Sequence, residues 1–150
     1  MADCYAVTTE GEEAIAASTA ETLVQLRGAT TTRGKVIAWG VAFDGATATD
    51  APVLVRLLRQ STDGTASAAT EVPFDPSAPA ALITAHHSFS AEPTAGDVLE
   101  VHEVHPNGGA LIREYALGRE PMIDDATSSR IAIEVNGPAC NAVAWLHWEE

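Results

Sequence analysis

Five histidines, two cysteines and 21 acidic residues are the side chains from which this 150-residue sequence could build a reactive or metal-binding centre. The richest stretch is GDVLEVHEVH, Gly96 to His105. A metal needs ligands that converge from one side. In a strand, residues two apart point the same way and residues three apart point to opposite faces. His102 and His105 therefore share an ion only if a bulge intervenes. The adjacent pair His86-His87 diverges too, one ring toward packing and the other toward solvent, and His147 between Leu146 and Trp148 suits packing at an edge or interface.

The other reactive chemistries lack their residues. No GxSxG elbow, local thiol-enzyme signature or phosphate-cradling glycine loop is present. Asp124-Asp125 and Glu149-Glu150 are adjacent pairs that read as solvated charge, and Asp44, Asp63 and Asp97 sit beside glycines where carboxylates bond local backbone amides. Metal-binding cupins carry a glycine, five residues, His-x-His and then a glutamate. Gly96 and His102 keep the first interval, but His105 comes one residue late and PNGGA follows where the glutamate should stand. The expectation is no enzyme, no catalytic residue, no metal and no cofactor. Cys4 and Cys140, near opposite ends of the sequence, are read as packed thiols or as a cross-link between terminal strands or between subunits.

Charge narrows the partners. The formal net charge is −13, and Lys35 is the only lysine. Such a surface repels phosphate backbones and anionic bilayers, which excludes nucleic acid and membrane surfaces as expected partners. No apolar run approaches the roughly 20 residues of a membrane span. MADCYAVTTEGEE lacks the basic and apolar regions of a signal peptide, so synthesis in the cytoplasm is expected.

Short apolar alternations separated by turn residues run along the sequence. GKVIAWGVAF, Gly34 to Phe43, sets Ile37, Trp39, Val41 and Phe43 on one face and Val36, Ala38, Gly40 and Ala42 on the other. PVLVRLLRQ, Pro52 to Gln60, is apolar on both faces apart from Arg56. Further strands are expected over Leu82–Phe89, Asp97–His105, Ala110–Leu117, Arg130–Asn136 and the closing NAVAWLHWEE. Asp44-Gly45 and STDGT mark turns, PFDPSAPA an irregular loop, and HPNGG a hairpin. Only Glu12–Ala20 has helical composition. The pattern predicts an all-β protein, an antiparallel two-sheet β-sandwich of jelly-roll type over residues 21–150, with an extended or partly helical N-terminal arm over residues 1–20.

Two features point to assembly. The small-residue face of Gly34–Phe43 lets another sheet, loop or subunit come close. Trp145 and Trp148 are three apart in the last strand, so one enters the core and the other needs separate cover.

The runs TAETLVQLRGATTTRGKVIAWGVAFDG (Thr19–Gly45), APVLVRLLRQSTDGT (Ala51–Thr65), AEPTAGDVLEVHEVHPNGG (Ala91–Gly109), GREPMI (Gly118–Ile123) and RIAIEVNGPACNAVAWLHWEE (Arg130–Glu150), in that order, resemble small structural proteins of tailed-bacteriophage heads. The resemblance implies a capsid decoration, or cement, protein: a homotrimeric β-sandwich that binds the major capsid protein on the exterior of the assembled head and stabilises it. On that reading the interface candidates are Trp148 with Leu54 and Leu58 behind it, and the scarce cations Arg27, Arg33 and Arg56. Residues 1–20 would reach over a neighbour, with Cys4 as a cross-link. The alternatives are another virion component, such as a head fibre, vertex or tail-associated receptor- or glycan-binding sandwich, and a cupin-like metal-binding protein.

Overall fold

Period-two alternation becomes strand nearly everywhere it occurs. The computed structural model describes residues 2–45 and 50–150. Its strands are β1 (Cys4–Thr8), β2 (Glu13–Ile15), β3 (Glu21–Arg27), β4 (Gly34–Asp44), β5 (Val53–Gln60), β6 (Thr65–Ala68), β7 (Val72–Pro73), β8 (Thr84–Ala91), β9 (Ala95–Val104), β10 (Asn107–Glu114), β11 (Met122–Ile123), β12 (Arg130–Asn136) and β13 (Cys140–Glu149). No helix forms among the described residues.

The first sheet runs β10-β4-β13-β1-β7, with β11 on β4 and β2 on β13. The second runs β6-β8-β3-β12-β5-β9. All the pairings are antiparallel. Take β1, β3, β4, β5, β9, β10, β12 and β13 as first to eighth. The first sheet then reads first, eighth, third, sixth, and the second reads second, seventh, fourth, fifth. That is jelly-roll connectivity. The segment β6–β8 is an addition between β5 and β9 that widens the second sheet beyond β3.

Between the sheets lies one apolar layer. Val53, Val55 and Leu57 of β5 and Ile131, Ile133 and Val135 of β12 face Trp39, Val41, Leu146 and Trp148 across it, all essentially without exposure. The indole of Trp148 stacks on the Tyr5 ring at 5.5 Å.

Four expectations need correction. Glu12–Ala20 holds no helix. Its glutamates and alanines favour one only weakly, and pairing of Glu13–Ile15 with Cys140–Ala142 prevails, with Ile15 buried. Nor does the N-terminal segment stand away from the sandwich, because β1 pairs with β13 from Cys4 to Thr8 and puts Tyr5 and Val7 into the core. HPNGG is not a hairpin: β9 belongs to the second sheet and β10 to the first, so the turn carries the chain from one sheet to the other. Gly108, at φ +73°, supplies the left-handed step it needs. The face assignment of β4 also shifts at one end. A register break opposite His147/Trp148 sends Val36 into the core and leaves Ile37 half-buried. The turn expected after Asp44-Gly45 runs into residues outside the described ones.

Trp148 fills this layer at the end where β1 and β4 begin. Trp148→Ala is expected to cost about 3–5 kcal/mol, read as a lower urea midpoint. A midpoint equal to the parent's would take Trp148 out of the core.

Candidate assembly surface

The outward face of the first sheet is built from small residues. On β13 the outward residues are Val143, Trp145 and His147, which pair with Ala42, Gly40 and Ala38 of β4. Ile112 of β10 lies opposite Gly40 on its other side, and Ala6 of β1 lies opposite His147. Gly40 is there for a physical reason. A Cβ at that position would sit 2.6 Å from the Trp145 ring, so the indole lies directly on the glycine backbone. His147 is flanked by Trp145 at 4.5 Å and by Phe74, edge-on, at 5.0 Å. Burial pushes its pKa down, which keeps the imidazole neutral in this apolar setting. Ile112 is 67% exposed and Phe74 56%. Charge is confined to the margins, at Glu114, Asp44 and the Lys35–Glu149 pair at 3.2 Å.

The outward face of the second sheet is covered by its own chain over β3, β12 and the Gln60 end of β5, while Val98 and Val101 of β9 stay exposed. Residues 61–65 and 91–94 fold over it. Thr22 donates its backbone N–H to Glu92 at 2.8 Å, Gln25 Nε2 donates to Gln60 Oε1 at 2.6 Å, and Gln60 Nε2 donates to Thr22 at 2.9 Å. Burial raises the Glu92 pKa against the hydrogen bond from Thr22. Under this cover Leu58 and Ala132 have no exposure.

The residues offered by the sequence as interface candidates therefore separate. Trp148 and Leu58 are buried within the chain and do not reach the surface; Leu54 is half-buried. Arg56 pairs with Glu134, and Arg27 donates to Gln25 Oε1 at 2.6 Å and to the Asp63 carbonyl at 2.8 Å. Arg33 is the surface member, 3.4 Å from Asp125. Trp145 takes the outward place given to Trp148. Both indoles fit the alternation of β13, and the core-facing residues of its neighbours, Trp39, Val41 and Phe43 on β4 and Tyr5 and Val7 on β1, mark which face is core. Cys4 and Cys140 are free thiols, the second buried. Cys4 lies opposite Glu149 and Cys140 begins β13, so the two are roughly 30 Å apart at strand rise. No bond joins them within one chain.

The histidines do not gather. Among the described residues no three of His, Cys, Asp and Glu are placed to hold a metal. His105 accepts the Asn107 N–H in its turn, while His102 sits 3.1 Å from Glu100. His87, Ser88 and Glu13 make the nearest approach to a hydrolytic triad, with Ser88 Oγ 2.9 Å and Glu13 Oε1 3.1 Å from the histidine. Both meet the same nitrogen, Nδ1, whereas a relay needs the two ring nitrogens to face different partners.

A polar cluster missed in the sequence ties the two sheets together at their β9 and β10 edges. Arg113 donates to Glu100 at 3.0 and 3.3 Å, and Trp39 Nε1 donates to the Tyr115 hydroxyl at 3.0 Å. Burial alone would raise the Glu100 carboxyl; hydrogen bonds from Arg113, His102 and Tyr115 outweigh it and hold the pKa down at about 2. Burial, and then Glu100, push the Tyr115 hydroxyl up. Only the fold brings these residues together, because β9 and β10 lie in different sheets.

No protein-family model and no curated protein matches this chain. Among solved structures, T=1 particles derived from infectious bursal virus match with a TM-score of 0.27 at 14% identity, over 97% of this chain and 39% of that one. The VP2 subviral particle of infectious bursal disease virus matches with a TM-score of 0.27 at 9% identity, over 97% and 40%. The chain thus spans about two fifths of the length of those chains. Likeness this loose carries neither a fold nor a function across.

The Glu100 carboxylate contributes stability fully above its ordinary value of 4.5, and that contribution is lost as pH falls toward about 2. Glu100→Gln is expected to flatten the loss of stability across that window, measured by urea unfolding at successive pH values. An acid limb as steep as the parent's would show that the cluster does not couple folding to protons.

Proposed function

We propose that this chain is a virion structural protein, a capsid decoration protein that binds the outside of an assembled phage head as a homotrimer and stabilises it. The observation that carries the reading is the outward face of the first sheet, small-residued and uncharged at its centre, on a chain of net charge −13. Elsewhere the acidic surface resists close contact with like-charged neighbours, and the second sheet is already covered over β3 and β12. The resemblance of the ordered sequence runs to phage head proteins supports the same role, as does the jelly roll, a fold that viral capsid domains and also lectins and cupins use. An exterior site keeps the acidic surface away from packaged DNA. The work is binding, with many modest contacts made large by repetition over the shell.

Trp145, His147 and Phe74 also favour a second reading, a glycan- or receptor-binding virion part, because sugars stack on aromatic faces next to neutral polar groups.

Copy number in purified virions tests the first reading. A ratio to the major capsid protein near one, or a simple fraction of it, is the expected result; a handful of copies moves the chain to a vertex, fibre or tail, and absence ends the virion assignment. Val143→Asp, placing a charge on the face beside Trp145, is expected to weaken binding to empty heads by about tenfold or more, equivalent to roughly 1.4 kcal/mol, in a co-sedimentation assay. Unchanged binding would remove this face from the contact.

A further inference from the structure

The exposed apolar side chains are not scattered. Val98 and Val101 of β9, Ile112 of β10 and Leu117 just beyond it stand along the edge where Arg113 and Glu100 join the two sheets, the valines facing out from the second sheet beside Leu58 and Arg56 and Ile112 facing out from the first beside Gly40. Val72, Phe74 and Leu82 lie on the opposite flank, with β7 at the far end of the first sheet. Each flank carries one shaped feature. Leu117, 90% exposed, stands at the tip of a turn closed by Arg119 N–H donating to the Ala116 carbonyl at 3.0 Å, with Gly118 at φ +84°. That is a type II turn, which holds the residue before the glycine outward. On the other flank a cavity of about 220 Å³ is lined by Tyr5, Pro79, Ala80 and Leu82, with the carboxylates of Asp3 and Glu150 among its walls. A cavity of about 150 Å³ already admits benzene, so an isobutyl group fits.

The cavity flank is acidic, with Glu71, Asp75 and Asp3, and the Leu117 turn, with Glu114 and Glu120 on either side of it, presents the exposed Arg119. Glu150 accepts the Leu82 and Ile83 N–H groups at 2.6 and 3.0 Å, which fixes that wall of the cavity. Knob and cavity lie at the same end of the first sheet, near the Lys35–Glu149 and Cys4–Glu149 pairings, and on its opposite edges.

We propose that copies of this chain join head to tail in a closed ring, the Leu117–Arg119 turn of one copy seated in the Tyr5–Pro79–Leu82 cavity of the next, with Arg119 facing Asp3. The inference rests on the self-assembly in the reading above and adds which surfaces meet. A knob does not complement a knob, so the contact is heterologous, and it closes when the rotation between copies divides a full turn. Complementary features on opposite edges of one sheet are what such a ring requires, and the arrangement leaves the outward face of the first sheet open for the shell.

Leu117→Asp and Ala80→Arg test it, because both positions are exposed and neither touches the core. Each variant alone is expected to lose the ring and sediment as one chain with an unchanged circular dichroism spectrum. Mixed in equal amounts, they keep one intact knob and one intact cavity between them and should form a two-chain species. Arg119→Glu should weaken the ring, and adding Asp3→Arg in the same chain should restore it. A ring that survives either Leu117→Asp or Ala80→Arg, or a mixture that stays monomeric, overturns this docking and leaves self-assembly standing. A parent chain that sediments as a single copy at every concentration overturns self-assembly, and this inference with it.

Discussion

The placement of β13 between β4 and β1 is the interaction on which the rest of the molecule leans. The strand pairs with β4 from Asn141 to Glu149 and with β1 from Thr8 back to Cys4, and it sends Leu146 and Trp148 into the core. Without it the first sheet falls into separate pieces and the second sheet loses the apolar layer it packs on. Since β1 and β13 lie at opposite ends of the sequence, this pairing closes a long loop. Proteins dominated by such distant contacts fold in milliseconds to seconds rather than microseconds.

The two outward faces solve one problem in different ways. Both carry residues that alternate with a core-facing set, and both need cover or polarity. The second sheet is covered by its own chain over β3 and β12, through the glutamine and threonine network under Glu92. The first sheet is left small and flat, with the Trp145 ring pressed onto Gly40. The distribution of arginine follows the same division. Arg27 and Arg56 are spent within the second sheet's cover, so they do not serve as contacts to another molecule.

Much of this fold was legible because period two is a local property. Ile131, Ile133 and Val135, or Val53, Val55 and Leu57, announce their buried face in seven residues or fewer. What the sequence could not disclose was pairing. Whether β13 turned Trp145 or Trp148 inward depended on its register with β4 and β1, which its own composition did not reveal, and HPNGG carries hairpin chemistry although its flanking strands separate into two sheets. The Glu100–Arg113–Tyr115 cluster was hidden for the same reason, since its members meet only across that sheet change. The small-residue face of β4 was visible from alternation alone; the slip at Ile37 was not, because a bulge is set by the partner strand.

The three tryptophans divide by environment. Trp39 and Trp148 are fully buried, each donating its indole N–H inside the chain, to Tyr115 and Glu150. Trp145 alone meets solvent, at the centre of the bare face. Intrinsic emission from this molecule is therefore the sum of two shielded indoles and one sentinel, and any surface laid on the first sheet dries the sentinel while leaving the others as an internal standard.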